Sequence, residues 1–400
     1  MKKIYEICDV LNGYAFKSKH YVDSGIRVIR IANVQDGYIS DENPCFYPNS
    51  SIDDIEKYIL KENDLLISLT GNVGRVALLN KEYLPAALNQ RVACLRIKDS
   101  YVDKKYLFYY LNQRKFIDDC IKASKGVAQL NLSTKWLESY QLDIPPIKEQ
   151  ERIVAKIEEL FSDLDNAVET LNATKAQLEV YRRAVLKESF FGDYPKKTLG
   201  EISKTISGYA FKSSKYTPDG KYTVIKIGNV KDRHFDFSRD HTLTNEVNET
   251  ILEKYLMRKG DCLITLTGSR GKRDYGFVTM IDKQTNFLLN QRVAALRFDE
   301  EYAIPEFYQY YLSSSDYREK FFSYETGNVG QGNVGVKALT EPLVICPPKE
   351  EQKTIITKIE SRLSMCDQIE NTVTSALVQA SAMRQSILKQ AFEGRLLNGK

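Results

Sequence analysis

Arginine and glutamine side chains recur at matching positions in two distant parts of this 400-residue chain. The string LNQRVA occupies residues 88–93 and again residues 289–294, which places Arg91 and Arg292 in the same local context. Arginine can bind a phosphate or a guanine edge through two parallel hydrogen bonds. A phosphate contact by these arginines is therefore one interpretation. A repeated scaffold, with turn hydrogen bonds and salt bridges to partners, explains six identical letters better.

A second shared string, GYAFKS, stands near the start of each half of the chain. The lysine of this string could contact phosphate as a mobile point charge, and its tyrosine could contact phosphate as well. Its phenylalanine, Phe16 or Phe211, is predicted to be buried in a core instead. The surface candidates from this string are Tyr14, Lys17, Tyr209 and Lys212.

The two halves differ where side chains could distinguish one ligand from another. From the glycine of a shared LTG string the first half reads GNVGRVALL, whereas the second reads GSRGKRDYGFVTM, which is longer and more basic. Arginines at a loop tip suit guanine recognition in the major groove, and a solvated charge cluster is the equal alternative. Another divergent segment keeps Gln-x-Asn in both halves. Its glutamine and its asparagine could pair with adenine; for Asn131 the alternative is that it helps to start the following short helix. These candidates are Arg75, Gln129, Arg270, Lys272, Arg273 and Gln331.

The shared strings belong to an internal repeat that covers nearly the whole chain. Each copy begins with a part that is predicted to be mixed α/β. Short apolar runs with β-branched residues, such as RVIRIANV and DLLISLT, are typical of strands, and KKYLFYYLNQRKF has helical spacing. The predicted α/β domains are residues 1–146 and 193–347.

The second part of each copy has apolar residues at alternating steps of three and four, which is typical of a heptad seam. The seam runs from Val154 to Val185 and from Ile356 to Ile387, with Lys175 and Glu370 among its polar members. A Pro-Pro pair precedes each segment, and proline is tolerated near a helix start but not inside a helix. Long helices are therefore predicted over residues 147–192 and 348–400.

An apolar seam of this length needs a partner. One alternative is a coiled coil between copies of the chain. Antiparallel pairing of the two internal helices is favoured, because the order domain, helix, domain, helix then returns the second helix to the first domain. The expected fold class is α+β, with two pseudo-two-fold-related α/β domains joined by two long helices that form an antiparallel coiled coil.

Several functional classes are disfavoured by composition and missing motifs. The net charge of +4 permits a nucleic-acid partner without arguing for one. No apolar run approaches the ~20 residues that cross a membrane, and the seven scattered cysteines fit a reduced cytoplasmic protein. No phosphate loop or N-P-P-[YF] methylase string occurs, and His234 and His241 lack neighbouring ligands. No catalytic or metal-binding residue is therefore predicted.

The two helix entries, IPPIKEQERIVAKI and CPPKEEQKTIITKI, resemble those of the specificity subunit of type I restriction-modification enzymes. The GYAFKS and LTG strings are also similar to that family, and the resemblance covers essentially all of the chain. It implies two target-recognition domains that each recognise one half of a bipartite site in double-stranded DNA. It further implies that the helices set the spacing between the half-sites and dock two methyltransferase (M) subunits.

The resemblance also implies that this chain is not catalytic. S-adenosylmethionine, ATP and Mg would bind to the M subunits and to restriction (R) subunits. Two other interpretations remain. A fused restriction-methylation enzyme would need the missing motifs, and a coiled-coil scaffold protein without DNA specificity would leave two divergent α/β domains unexplained.

Overall fold

The computed structural model describes residues 1–126, 129–245, 247–327 and 330–397. It divides into two units, one formed by Met1–Leu171 with Thr374–Lys400 and the other by Asn172–Val373. Each unit therefore contains one α/β domain together with a part of each long helix.

Three small sheets form the domain of the first unit. The four-stranded sheet has the strand order Cys8–Asn12, Val92–Ile97, Leu65–Ser68, Val76–Leu78. The three-stranded sheet has the order Phe46–Tyr47, Ile26–Ile29, Ala86–Leu88. The two-stranded sheet pairs Lys2–Lys3 with Gln141–Leu142. The α-helices of this domain are Ile4–Ile7, Lys104–Leu111, Arg114–Ala123 and Thr134–Ser139. Its 3-10 helices are Ser18–His20, Ile31–Asn33, Asn49–Ser51, Asp53–Tyr58 and Lys81–Tyr83.

The second unit repeats this arrangement and adds a further sheet. The four-stranded sheet has the order Ser203–Ser207, Val293–Phe298, Cys262–Thr265, Val278–Met280, and the matching three-stranded sheet has the order Leu243–Thr244, Tyr222–Ile225, Phe287–Leu289. The further sheet has the order Thr267–Ser269, Gln331–Val334, Glu325–Thr326. The two-stranded sheet pairs Lys196–Thr198 with Leu343–Ile345. The α-helices of this unit are Leu199–Ile202, Glu249–Tyr255, Pro305–Ser313 and Ser315–Ser323, and its 3-10 helices are Ser213–Lys215 and Val336–Leu339.

One of the two inner strands of each four-stranded sheet, Leu65–Ser68 or Cys262–Thr265, is buried on both faces. Successive side chains of a strand point to opposite faces, so one strand can supply two cores. Leu65 and Ile67 pack in one apolar cluster of the first domain, and Leu66 packs in another. The apolar runs that predicted strands therefore lie where the sheet separates two cores, and a charged substitution on either face would be buried.

In each domain an ion pair joins two neighbouring strands of this sheet. Arg96 Nε and Nη2 donate to the two oxygens of Asp64 at 2.9 and 2.6 Å, and Asp64 is 2% exposed. The corresponding bonds from Arg297 to Asp261 are both 2.8 Å. Hydrogen bonding to the aspartate raises the pKa of each arginine. A bidentate pair satisfies the buried carboxylate and fixes the sheet register.

The two long helices are Ile147–Ser189 and Lys349–Phe392, and each is continuous. Within the second unit, Arg182 contacts Glu370 at 3.0 Å, whereas Glu188, farther along its helix, contacts Arg362 at 2.7 Å. From Arg182 to Glu188 the contacts move towards the end of the first helix, while their partners, Glu370 and Arg362, move towards the start of the second. The helices therefore run antiparallel. The predicted fold class, two repeated α/β domains with paired long helices, is confirmed.

Apolar seam residues are buried along both helices, with one shift from the predicted register. Lys175 is exposed, and Thr174 is half-buried in its place. The step of three from Leu171 to Thr174 also fits a heptad, and it leaves the lysine charge in water. Residues 398–400 of the predicted second helix lie outside the described residues. The buried seam residues are Val154, Ile157, Phe161, Leu178, Val185, Ile359, Leu363, Cys366, Val373, Ala380 and Ile387.

A buried glutamine joins the start of each long helix to its domain. Gln150 Oε1 accepts from the backbone N–H of Asp103 at 2.8 Å. Its Nε2 donates to the carbonyls of Tyr101 and Pro145 at 2.8 and 2.7 Å. Gln352 makes the same three bonds, at 2.9, 2.8 and 2.8 Å. Both side chains are 0% exposed, so the Gln of each repeated E-Q pair is structural.

All seven cysteines are free. Within the described ranges, three or more His, Cys, Asp or Glu residues nowhere converge in a way that could hold a metal ion. None of the helices in those ranges combines the length and the apolar composition that crossing a membrane requires.

Replacing Gln352 by leucine should destabilise the second unit. Leucine fills a similar volume, but it leaves one N–H and two carbonyls without their buried partner, at a cost of at least about 2 kcal/mol. Gln368→Leu, at an exposed position of the same helix, is the matched control. Thermal unfolding of the full chain measures the effect. Equal unfolding temperatures for the two variants would show that the buried amide does not anchor the helix.

Candidate nucleic-acid interface

The two repeated strings, GYAFK and LNQR, form one structural unit in each domain. The backbone N–H of Tyr14 donates to the Leu88 carbonyl at 2.8 Å, and the N–H of Gln90 donates to the Tyr14 carbonyl at 3.0 Å. The equivalent bonds of Tyr209 measure 2.9 and 3.0 Å. These bonds support the interpretation that both strings are shared because they belong to one scaffold.

The glycine of GYAFK lies so close to the LNQR turn that no side chain fits. A Cβ atom on Gly13 would lie 2.1 Å from the carbonyl oxygen of Asn89. On Gly208 it would lie 1.9 Å from that of Asn290. The Asn89 side chain is buried, and its Oδ1 accepts from the N–H of Arg91 at 3.3 Å, which closes the turn. The close approach explains why the glycine and the asparagine both recur.

The tyrosine and lysine of GYAFK lie on the surface in both domains. Tyr14 packs against the Phe16 ring, with centroids 5.0 Å apart, and remains partly exposed, as does Tyr209. Lys17 and Lys212 are exposed, and Phe16 is buried as predicted. The expectation of a core residue is wrong for Phe211, which is only half-buried because it lines an open cavity of about 440 Å³.

A groove of about 530 Å³ in the second domain brings Arg292 and Gln331 together. The end of the strand Cys262–Thr265, at Leu266, lies between them. The N–H of Leu266 donates to the Arg292 carbonyl at 3.1 Å, and the N–H of Val334 donates to the Leu266 carbonyl at 2.9 Å. The groove is lined by Leu266, Thr267, Gln291, Arg292, Gly327, Gln331 and Asn333.

The first domain has the same backbone arrangement around Leu69. Its N–H donates to the Arg91 carbonyl at 3.0 Å, and its carbonyl accepts from the N–H of Leu132 at 2.8 Å. Thr70 Oγ1 donates to Asn131 Oδ1 at 3.1 Å. Asn131 therefore does not start the following helix, which begins at Thr134 with Ser133 before it. The sequence reasoning missed Thr70, although it stands in the shared LTG string.

Polar side chains at this strand end are available to a ligand. Arg91 and Arg292 are exposed, and their guanidinium groups have no hydrogen bond or ion pair to any residue that the structure describes. Gln129 and Gln331 are exposed as well. A free guanidinium beside a free carboxamide can bind a phosphate or a base edge.

The basic loop of the second domain is folded rather than a free tip. Arg270 Nη1 donates to the Gly327 carbonyl at 2.9 Å, and its Nε lies 3.6 Å from Glu325 Oε2. The Arg273 guanidinium lies over the Phe322 ring, 4.9 Å from its centroid. Only Lys272 of the three candidates is exposed without such contacts among the described residues. The proposed base contacts by this loop stay predictions.

Arg75, the candidate from the corresponding loop of the first domain, is also engaged. Its Nη1 donates to Gln35 Oε1 at 2.7 Å, and its Nε lies 3.7 Å from Asp36 Oδ1. The side chain is half-buried and holds two neighbouring loops together. DNA contact by Arg75 stays a prediction, and a ligand would have to compete with a carboxylate.

The chain matches the family model described as the type I restriction modification DNA specificity domain over residues 1–180 and 192–379. The EcoBI specificity subunit of Escherichia coli is 23% identical over 420 residues, with 98% of this chain and 84% of that protein covered. Among solved structures, the HsdS subunit of Thermoanaerobacter tengcongensis has a TM-score of 0.56 at 17% identity, covering 98% of this chain and 96% of that one.

A second solved chain, from a study of complex assembly and conformational transition in the type I R-M system, has a TM-score of 0.73. Its identity is 18%, and the match covers 98% of this chain and 97% of that chain. At such identities the structural likeness shows the fold.

Replacing Gly208 by alanine should disrupt the GYAFK–LNQR unit. The new Cβ would meet backbone rather than a movable side chain, so the cost should be at least about 2 kcal/mol. Gly228→Ala is the control, because its Cβ would meet nothing within 4 Å. Chemical denaturation of the full chain measures both. A Gly208→Ala protein as stable as Gly228→Ala would contradict the close approach.

Proposed function

The chain belongs to the type I restriction-modification DNA specificity family, and we propose that each of its domains recognises one half of a bipartite site in double-stranded DNA. It is the specificity subunit of such a system. The observation that carries the proposal is the strand end that recurs in both domains, where an exposed arginine and an exposed glutamine flank the same backbone. Two such surfaces on one scaffold, with different loops beside them, suit two different half-sites.

We assign different tasks to shared and divergent residues. Contacts to phosphate carry no sequence information, so the shared Arg91 and Arg292 suit the DNA backbone. Contacts to base edges determine sequence, so they suit segments that differ between the domains, such as residues 270–272. Gln129 and Gln331 lie between these classes, because their amides can bind either adenine or a phosphate oxygen.

The long helices would set the distance between the half-sites and dock two M subunits. The 43-residue helix is about 65 Å long at about 1.5 Å per residue. Its buried seam and the Gln150 anchor make it stiff, and a stiff element of fixed length imposes a fixed number of base pairs. This spacing role explains why a recognition protein contains helices far longer than a domain core needs.

Catalysis would belong to the partner subunits. We propose that the M subunits bind S-adenosylmethionine and that R subunits use ATP and Mg, while this chain contributes recognition alone. The family supports this division, because its described role is DNA specificity. The alternative of a scaffold without DNA specificity is not supported by that family.

Methylation mapping in the host tests the function. A bipartite methylated motif should disappear when the gene is deleted and return with the wild-type chain. Replacing Arg270, Lys272 and Arg273 by alanine should relax one half-site only, because each lost bidentate contact costs ~1–3 kcal/mol. Lys204→Ala, at an exposed position of the same unit, is the control. Equal relaxation of both half-sites would assign the loop to docking or phosphate contact instead.

Inserting one heptad after Leu171 and another after Val373 tests the spacing role. Seven residues preserve the seam and lengthen both helices by about 10 Å, which equals about three base pairs at ~3.4 Å each. Methylation mapping should show unchanged half-sites and a spacer longer by roughly that amount, within the limits of DNA twist. Two-residue insertions turn the seam by ~200° and should abolish activity. An active heptad variant with the old spacer would rule out the helices as the spacing element.

A further inference from the structure

Three arginines line one cavity of about 240 Å³ in the second unit. None of their guanidinium groups has an ion-pair partner within 4.0 Å among the described residues. Glu319 is the one carboxylate in the lining, so positive charge exceeds negative charge there. The residues that matter are Arg183, Arg273, Arg318, Ser315, Glu319 and Phe322.

Arg318 is held rigidly by neutral acceptors. Its Nη1 donates to the Gly276 carbonyl at 2.8 Å, and its Nη2 donates to the carbonyls of Arg273 and Tyr275, both at 3.0 Å. Its guanidinium lies 5.1 Å from the centroid of the Phe322 ring. Burial lowers the pKa of Arg318; the charge of Asp232 partly offsets this effect, and that of Arg273 adds to it. Carbonyls satisfy the N–H groups but leave a full positive charge beside the cavity.

Two helices supply most of the lining of the cavity. Ser315, Arg318, Glu319 and Phe322 line it from one side of the helix Ser315–Ser323. Asp316 in its first turn is already paired with Lys320 at 2.9 Å. Arg183 reaches the cavity from an exposed position on the first long helix. Arg318 held by carbonyls, Arg273 over an aromatic ring and the exposed Arg183 together suit a tetrahedral oxyanion.

We propose that this cavity binds one phosphate group, and that this phosphate belongs to the DNA backbone beside the half-site of the second domain. The assignment to DNA rests on the proposed function. It follows from the basic loop, since Arg270 contacts Gly327 in the groove that contains Arg292, whereas Arg273 lines the cavity. A strand of DNA that crosses this loop from the groove would reach the cavity.

In the part of the first domain that the structure describes, Ile117 stands at the place that matches Arg318. A Cβ on Gly276 would meet Phe321 and lie 3.5 Å from Arg318 Nη1. On Gly74, the matching glycine, it would meet Cys120 and Ile117. Ile117 carries no charge, so the phosphate contact should be present at one half-site only.

Salt dependence of DNA binding tests the proposal. The complex of the full chain with its M subunits is titrated with duplex DNA containing the mapped site over a range of salt concentrations. Arg183→Gln removes one of the three charges around the phosphate, so it should reduce the slope of log K against log salt by up to about 0.9, the value for one whole phosphate contact. Preference for either half-site should not change. Lys204→Gln, which removes one exposed charge away from the cavity, should keep the wild-type slope.

A second measurement separates DNA from free phosphate as the source. The full chain without DNA is unfolded thermally in sodium phosphate and in sodium chloride of equal ionic strength. Stabilisation by phosphate that Arg183→Gln abolishes supports the cavity as an oxyanion site. If the salt slope is unchanged in that case, the DNA assignment is overturned and free phosphate is the ligand. No effect in either measurement overturns the whole proposal. Absence of specific DNA binding by the wild-type complex would refute the proposed function, while the phosphate measurement would still decide the cavity.

Discussion

The buried amide of Gln150 and Gln352 is the interaction on which each helix–domain junction depends. One carboxamide accepts a hydrogen bond from a backbone N–H and donates two to backbone carbonyls. It therefore satisfies both donors and acceptors of the backbone where its own side chain is fully buried. Glutamate would bring a charge and no donors, and leucine would satisfy nothing. The amide fixes the direction in which the helix leaves its domain. A pair of stiff helices can impose a distance on DNA only if these junctions do not bend.

The internal repeat separates what the scaffold needs from what recognition needs. Gly13 and Asn89 recur because two backbone segments touch where no side chain fits, and Asp64 recurs because its buried carboxylate needs Arg96. These packing constraints do not depend on the DNA sequence, so both copies keep them. The loops beyond the strand ends are not subject to these constraints, and there the copies differ in length and charge. One stable frame can therefore carry two specificities.

Periodicity and repetition were enough to predict most of the fold from the sequence. The buried strand Leu65–Ser68 and the long helices follow from local patterns of apolar residues. The site was harder, because the neighbours of a side chain lie far away in sequence. Arg292 and Gln331 meet across the strand end at Leu266, and Arg270 bonds to Gly327, through tertiary contacts that no spacing rule contains. The position of Thr174 in place of Lys175 reflects solvation of one charge, which a bare heptad count ignores.

Arginines of the two domains have different electrostatic surroundings. Arg75 lies beside Asp36 and Arg270 beside Glu325, so part of the charge of each is compensated before any ligand arrives. Arg318 is instead held by carbonyls, and Arg273 lies over an aromatic ring, which orients a guanidinium without pairing it with a carboxylate. Orientation in advance lowers the entropy lost on binding, and an uncompensated charge attracts phosphate over a longer range. Under the proposed function, the cavity would give the second domain a salt-dependent contact with the DNA backbone in addition to that of Arg292, which Arg91 matches in the first domain.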